Sequence, residues 1–141
     1  MAYIPKHFVT QELVYPEIYR KLGDKALLLM SDKILITADK LRDFFGVPVT
    51  INNWHTGGQF QNRGLRDKNS SVGALKSEHK LGNALDLDVQ GKTSEQVRKI
   101  ILANKNNEAF KFITRMELKV NWTHIDCKDI GNTPRIFCFE G

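Results

Sequence analysis

Cysteine is scarce in this sequence, and its scarcity excludes a fold built on disulfides. Cys127 and Cys138 are too few for the bridged scaffolds of small secreted domains, and their spacing does not suit a zinc knuckle. They fit a reducing compartment. A C-terminal hairpin would bring them close, but a bond is not expected there. Long apolar runs are absent too. No segment approaches the ~20 apolar residues needed to cross a bilayer, and the cluster Ala26–Met30 gives way at once to Ser31, Asp32 and Lys33. The opening residues, MAYIPKHFVTQE, lack the basic-then-apolar pattern and small-residue cleavage site of a secretory signal. The expectation is a protein with no membrane span, held in the cytoplasm of the producing cell until another factor releases it.

There is also no internal repeat, low-complexity tract or linker. With 141 residues, 41% of them hydrophobic, the chain can bury a core without staples, and a single domain over residues 1–141 is expected. Acidic residues are the minority charge: 21 Lys and Arg against 16 Asp and Glu leave a net +5, with an isoelectric point near 9.3. That balance suggests an anionic partner, either nucleic acid or the acidic polymers of a bacterial wall. The basic residues are scattered and form no stripe, which leaves nucleic acid unlikely on sequence grounds.

Residues 10–22 read as a short helix with Thr10 as N-cap, ended by Gly23. Asp24 then caps a longer helix over residues 25–45, where Leu27, Met30, Ile34, Leu35, Ala38, Leu41 and Phe45 recur at near-helical spacing before Gly46. VPVTINN, residues 47–53, is rich in β-branched residues and reads as a strand. A loop of Gly, Asn, Arg and Ser follows over residues 54–76, a length that is more often functional than idle. Thr93 and Gln96 form a capping box for a helix over residues 94–106. Further strands are expected near residues 111–118, 121–127 and 135–140. Helices first, then a mostly antiparallel sheet crossed by one helix, make an α+β fold.

Chemistry concentrates in two stretches. In Ser77–Asp88, the residues alternate from Ala84 onward: Ala84, Asp86 and Asp88 on one face, Leu85, Leu87 and Val89 on the other. Carboxylates inside a short apolar strand need a partner, because burying them unpaired is costly. Gly82 permits a tight turn just before the strand, so His79 can fold back towards Asp86. In Asn121–Cys127, Trp122, His124 and Asp126 share one face. If the two strands are neighbours, His79, Asp86 and His124 meet, and two imidazoles with one carboxylate make a catalytic zinc site with a fourth position open. Chemistry needs that open position, because zinc lowers the pKa of a bound water to about 7.

Ser77 to Asp86 fits the pattern S-x-H-x-x-G-x-A-x-D, and Trp122-Thr123-His124 fits a later W-x-H element. In these motifs the chain resembles the zinc D-alanyl-D-alanine carboxypeptidase and L-alanyl-D-glutamate endopeptidase family, which shares the hedgehog/DD-peptidase fold and includes many phage endolysins. The resemblance covers roughly residues 35–127. It implies N-terminal helices packed on the sheet, and Zn2+ held by His79, Asp86 and His124. Where peptidases of the family place a glutamate three residues before the last histidine, this chain has Asn121. Glu117, seven residues before His124 and near the hedgehog position, is therefore the expected general base, swung in by a hairpin at residues 119–121. Asp126 and Asp88 are supporting or substitute carboxylates. The loop NNWHTGGQFQNRGLR stands where the family has an arginine for substrate, so Arg63, Arg66 or His55 is expected to bind a peptide carboxylate or steady the oxyanion.

The function implied is zinc-dependent hydrolysis of an amide bond in the stem peptide of peptidoglycan, by a phage-encoded lysin that reaches the wall after release or from a virion. The alternative is a virion structural or assembly protein that keeps the fold and the zinc without hydrolysis. A module binding wall polymer or nucleic acid by charge alone leaves the matched motif unexplained.

Overall fold

The computed structural model describes residues 3–72 and 77–141. Three α-helices, α1 (Pro16–Leu22), α2 (Asp32–Phe45) and α3 (Ser94–Ala103), accompany a mixed five-stranded sheet, so the α+β expectation holds. The strands are β1 (Val49–Thr50), β2 (Ala84–Val89), β3 (Arg115–Leu118), β4 (Thr123–Asp126) and β5 (Phe137–Glu140), in spatial order β1-β2-β4-β3-β5. Every neighbouring pair is antiparallel except β3 and β5, which run parallel. No helix is long and apolar enough to cross a membrane among the described residues.

The first expected helix divides. Thr10–Glu12 is one 3-10 turn, and α1 begins only at Pro16. Proline is favourable at the first helical position but drives the preceding residue out of the α region; Tyr15 is accordingly extended, at φ −64°, ψ 145°. Thr10 is not a cap, since its hydroxyl donates to Asp24 at 2.7 Å. The second expected helix also divides. Gly23–Leu29 is 3-10, Met30 is extended, and α2 restarts with Ser31, whose hydroxyl accepts from the Ile34 amide at 3.2 Å. Asp24 falls inside the 3-10 stretch, its carboxylate taken by Thr10, so Ser31 serves as the cap, and the Ser31 amide is held by the Gly82 carbonyl at 2.8 Å.

Downstream the match is closer. α3 carries the expected reciprocal capping box, Thr93 Oγ1 accepting from Gln96 N at 3.1 Å and Thr93 N donating to Gln96 Oε1 at 2.9 Å. The strand expected at residues 47–53 shrinks to β1, which pairs only with the far end of β2, Val49 opposite Val89. The expected loop over residues 54–76 contains a 3-10 turn at Trp54–Thr56, and its residues 73–76 lie outside the described residues.

The core lies between the sheet and the helices. Leu85, Leu87 and Val89 from β2, Met116 from β3 and Ile125 from β4 turn inward to meet Ile34, Leu35, Ala38 and Leu41 of α2 and Val97 and Ile101 of α3. The opposite face of the central strands is thereby left for polar residues. Cys127 and Cys138 are free thiols, and β5 joins β3 instead of folding back on β4, so no hairpin links the two cysteines.

Candidate metal centre

The sheet register places the polar residues in rows. Asp86 of β2 is directly opposite His124 of β4, and Ala84 is opposite Asp126. On the other side of β4, Asp126 is opposite Arg115 and Ile125 opposite Met116. Extending that ladder by one residue sets Glu117 level with His124, while Glu117 itself is opposite Phe139 of β5. One row thus reads Asp86, His124, Glu117, Phe139 across four adjacent strands, on the face away from the core.

His79 reaches this row from the turn before β2. Gly82 makes that turn at φ +70°, and a Cβ there would lie 2.1 Å from the Leu29 carbonyl oxygen, so both conformation and space require glycine. Gly64 is constrained by space alone: a Cβ would lie 2.1 Å from the Leu13 carbonyl oxygen. The close approach matters because the Gly64 carbonyl accepts a hydrogen bond from His79 Nδ1 at 3.0 Å. That bond leaves His79 Nε2 as a bare lone pair directed into the site.

Ligating atoms of His79, Asp86 and His124 all lie within 4.8 Å of one another, and all three residues are buried. His79 Nε2 is 3.2 Å from Asp86 Oδ1, yet it is buried without a hydrogen-bond partner. A lone pair facing a carboxylate at that distance is repulsive unless a cation stands between them. Two imidazoles and a carboxylate form the donor set of a catalytic zinc site, so the residues present fit the ion.

Second partners orient these groups. His124 Nε2 is 2.8 Å from Asp126 Oδ2, and His124 Nδ1 is 2.9 Å from Asp86 Oδ1. Asp126 is fully buried and gripped by Arg115, whose Nε and Nη2 donate to its two oxygens at 2.8–3.1 Å. Arg115 in turn lies over the Phe139 ring, 4.4 Å from its centroid, and that ring meets His124 edge-on at 5.7 Å. Asp126 thereby fixes Nε2–H as a donor and turns Nδ1 towards Asp86 and the metal position.

The electrostatics follow from this network. Burial alone would raise the Asp86 carboxyl, but the hydrogen bond and charge of His124 outweigh it and hold it far below the ordinary carboxylate range. Burial disfavours charged His124, yet Asp126 and Asp86 push its pKa up to about 9. Asp126 is also lowered: burial opposes ionisation, and His124 and Arg115 more than compensate.

His79, Asp86 and His124 line a cavity of about 650 Å3, together with Arg66, Arg115, Glu117, Trp122 and Phe139. Glu117 therefore shares a wall with the His-Asp-His cluster. Arg66 contributes Nη2, 3.4 Å from Asp86 Oδ2, while its Nε donates to the Asn62 carbonyl at 2.7 Å. Burial lowers the Arg66 pKa, and the charges of Asp86 and Glu117 act against that shift. Arg63 is turned elsewhere: its guanidinium binds Asp88 at 2.7 Å and stacks on Phe60 at 3.6 Å, while its carbonyl accepts from the Asp86 amide at 2.7 Å. Arg63 and Asp88 thus pin the loop to the edge of β2. His55 sits in the 3-10 turn beside Trp54, outside the cavity lining. Asn121 is exposed in the β3–β4 turn and also absent from the lining. Sequence reasoning passed over Arg115 and Phe139. Arg115 had a legible signal, since it precedes Glu117 by two residues and so shares its face; Phe139 had none, because its place depends on a parallel pairing between distant segments.

Neither a curated protein nor a solved structure matches the chain. A family model does: the one described as Peptidase M15 matches residues 6–126. The match starts well before residue 35, so the N-terminal turns and α1 belong to the shared unit along with the motifs. Holding the His-Asp-His cluster within that matched span, the chain belongs to the Peptidase M15 family.

Proposed function

We propose that the protein is a zinc-dependent peptidase of the bacterial cell wall, hydrolysing an amide bond in the stem peptide of peptidoglycan. The observation that carries this reading is the buried convergence of His79, Asp86 and His124 at the wall of an open cavity that also holds Glu117. His79 Nε2, a carboxylate oxygen of Asp86 and His124 Nδ1 would hold the ion. Bound there, zinc supplies Lewis acidity, polarising a carbonyl and making water acidic enough to attack near neutral pH.

The remaining steps belong to side chains of this chain. Glu117 accepts a proton from the attacking water and hands it to the leaving amine. Arg66, cationic and partly buried in the same wall, faces the oxygen on which negative charge develops and orients the substrate. Trp122 and Phe139 give the cavity an apolar surface on which a peptide can lie. Asn121 is an amide and cannot act as a base, and Glu78, the other glutamate of the lining, accepts from Asn83 Nδ2 at 3.0 Å, so the role of base is assigned to Glu117. The hedgehog/DD-peptidase fold is the architecture this reading implies, and a phage lysin, acting at the wall after release or carried in a virion, is the biological setting it favours.

A turbidity assay on purified cell walls tests the proposal. Clearing should be abolished by a chelator, restored by zinc and lost in Glu117→Gln with metal content unchanged. Full zinc occupancy with no clearing of walls and no cleavage of isolated stem peptides would overturn it, in favour of a virion component that keeps the ion for structure. The solvent-facing Asn121 at the usual glutamate position is the one feature favouring that second reading.

A further inference from the structure

A second hollow adjoins the metal cavity, and Arg66 lines both. It encloses about 430 Å3. Its floor is apolar and open: Leu22 and Leu29 are 42% and 53% exposed. Its rim is cationic, with Lys21 from the last turn of α1, Lys68 from the loop and Lys80 from the turn that carries His79. The one acidic residue of the lining, Asp67, already accepts from the Asn69 amide at 2.8 Å. None of the three lysines has a carboxylate partner among the described residues. Lys80 donates to the Ser70 carbonyl at 2.8 Å, which leaves two of its three protons unused.

Three like charges around one apolar floor repel each other and gain nothing from one another. Such a surface is complementary to a ligand with negative groups at its edges and an aliphatic body between them. A phosphodiester polymer answers the charges but leaves the leucines uncovered. A peptide carrying carboxylates answers both.

We propose that this groove seats an acidic peptide segment: the part of the substrate that lies beyond Arg66, with carboxylates on Lys21, Lys68 and Lys80 and aliphatic side chains on Leu22 and Leu29. The proposal rests on the peptidase reading and adds to it a preference for substrates with free carboxylates away from the cut bond. Arg66 then stands at the boundary, with the reacting amide on one side and the recognition segment on the other.

Binding is the decisive measurement, because it does not depend on hydrolysis. Fluorescein-labelled Ala-Glu-Ala-Glu-Ala and its Ala-Gln-Ala-Gln-Ala counterpart are titrated with the zinc-loaded full chain, and with the double variant Lys21→Ala, Lys68→Ala. The wild type should prefer the acidic peptide by about fivefold or more, as two or three exposed ion pairs allow, and raised salt should erode the preference. The double variant should lose most of that preference while keeping its zinc and its affinity for the glutamine peptide. Equal binding of the two peptides by the wild type, or an undiminished preference in the double variant, overturns the proposal. So does tighter, lysine-dependent binding of polyglycerol phosphate than of the acidic peptide, which would assign the groove to a phosphodiester polymer. A preference that follows the lysines in a protein that cleaves neither walls nor stem peptides sinks the peptidase reading and leaves the groove's ligand class standing.

Discussion

At the scale of single residues, most of the constraints meet at His124. Its two nitrogens face two carboxylates, at 2.8 and 2.9 Å, and the metal-free imidazole holds its proton up to a pKa of about 9. A metal ion on Nδ1 must displace that proton. Zinc affinity should therefore rise with pH through the neutral range and level off above about 9, with about one proton released per ion at pH 7; calorimetry in buffers of different ionisation enthalpy counts it. The stability of the metal-free protein has the opposite slope on this side. A histidine whose folded pKa is raised contributes fully below its unfolded value near 6.5 and loses that contribution as pH climbs through about 9. Asp86 and Asp126 are lowered, so their contribution is present above about 4 and fades in acid. Thermal melts of chelated protein should peak between about pH 5 and 6.5. Asp126→Asn removes the charge that fixes His124, and zinc affinity should fall about 10- to 100-fold, measured against a chelating indicator. Asp88→Asn, two strand positions from Asp86 but paired with Arg63, should leave it nearly unchanged.

At the scale of elements, what could be read from the sequence was whatever local pattern encodes. The alternation in Ala84–Val89 and Trp122–Asp126 marked two strands and the face each would turn to the metal, and Thr93 with Gln96 marked the start of α3. The breaks at Tyr15 and Met30 were readable in principle from Pro16 and Ser31, but apolar residues at helical spacing ran through both and masked them. The short β1 and the parallel pairing of β5 with β3 were not readable, since strand pairing is a relation between distant segments that periodicity does not record. The turn at Gly82 is the most sharply constrained connection, and its prediction belongs here. Gly82→Ala and Gly91→Ala both place a side chain at positive φ, but only Gly82 also meets backbone, at 2.1 Å, whereas Gly91 faces open space. Gly91→Ala should cost about 1 kcal/mol. Gly82→Ala should cost clearly more, lower Tm by at least about 5 °C and weaken zinc binding by moving His79.

At the scale of the whole molecule, metal and fold are linked. The ion binds only the assembled site, so zinc at a thousandfold excess over its Kd should stabilise the protein by about 4 kcal/mol and raise Tm by roughly 10 °C, an increment that a chelator removes. The thiols report on the same transition. Cys127 is buried, and burial, with the nearby Asp126 charge, pushes its pKa up to about 12. It should resist alkylation at pH 8 in the zinc-loaded state and react once the chain unfolds, as mass spectrometry of iodoacetamide-treated protein would register.

The strand order β1-β2-β4-β3-β5 also has a kinetic meaning. The middle strand carries His124, and the neighbour holding Asp86 is distant in sequence, separated from it by α3 and the β3 hairpin arm. No single hairpin made early on can gather the donors; they come together only after a long loop has closed, which is the slow event in chains with such nonlocal contacts. Zinc capture should consequently mark the end of refolding and not its nucleus. In stopped-flow experiments, the uptake signal should coincide with the slowest phase seen by tryptophan fluorescence, and refolding without metal should reach that phase at nearly the same rate.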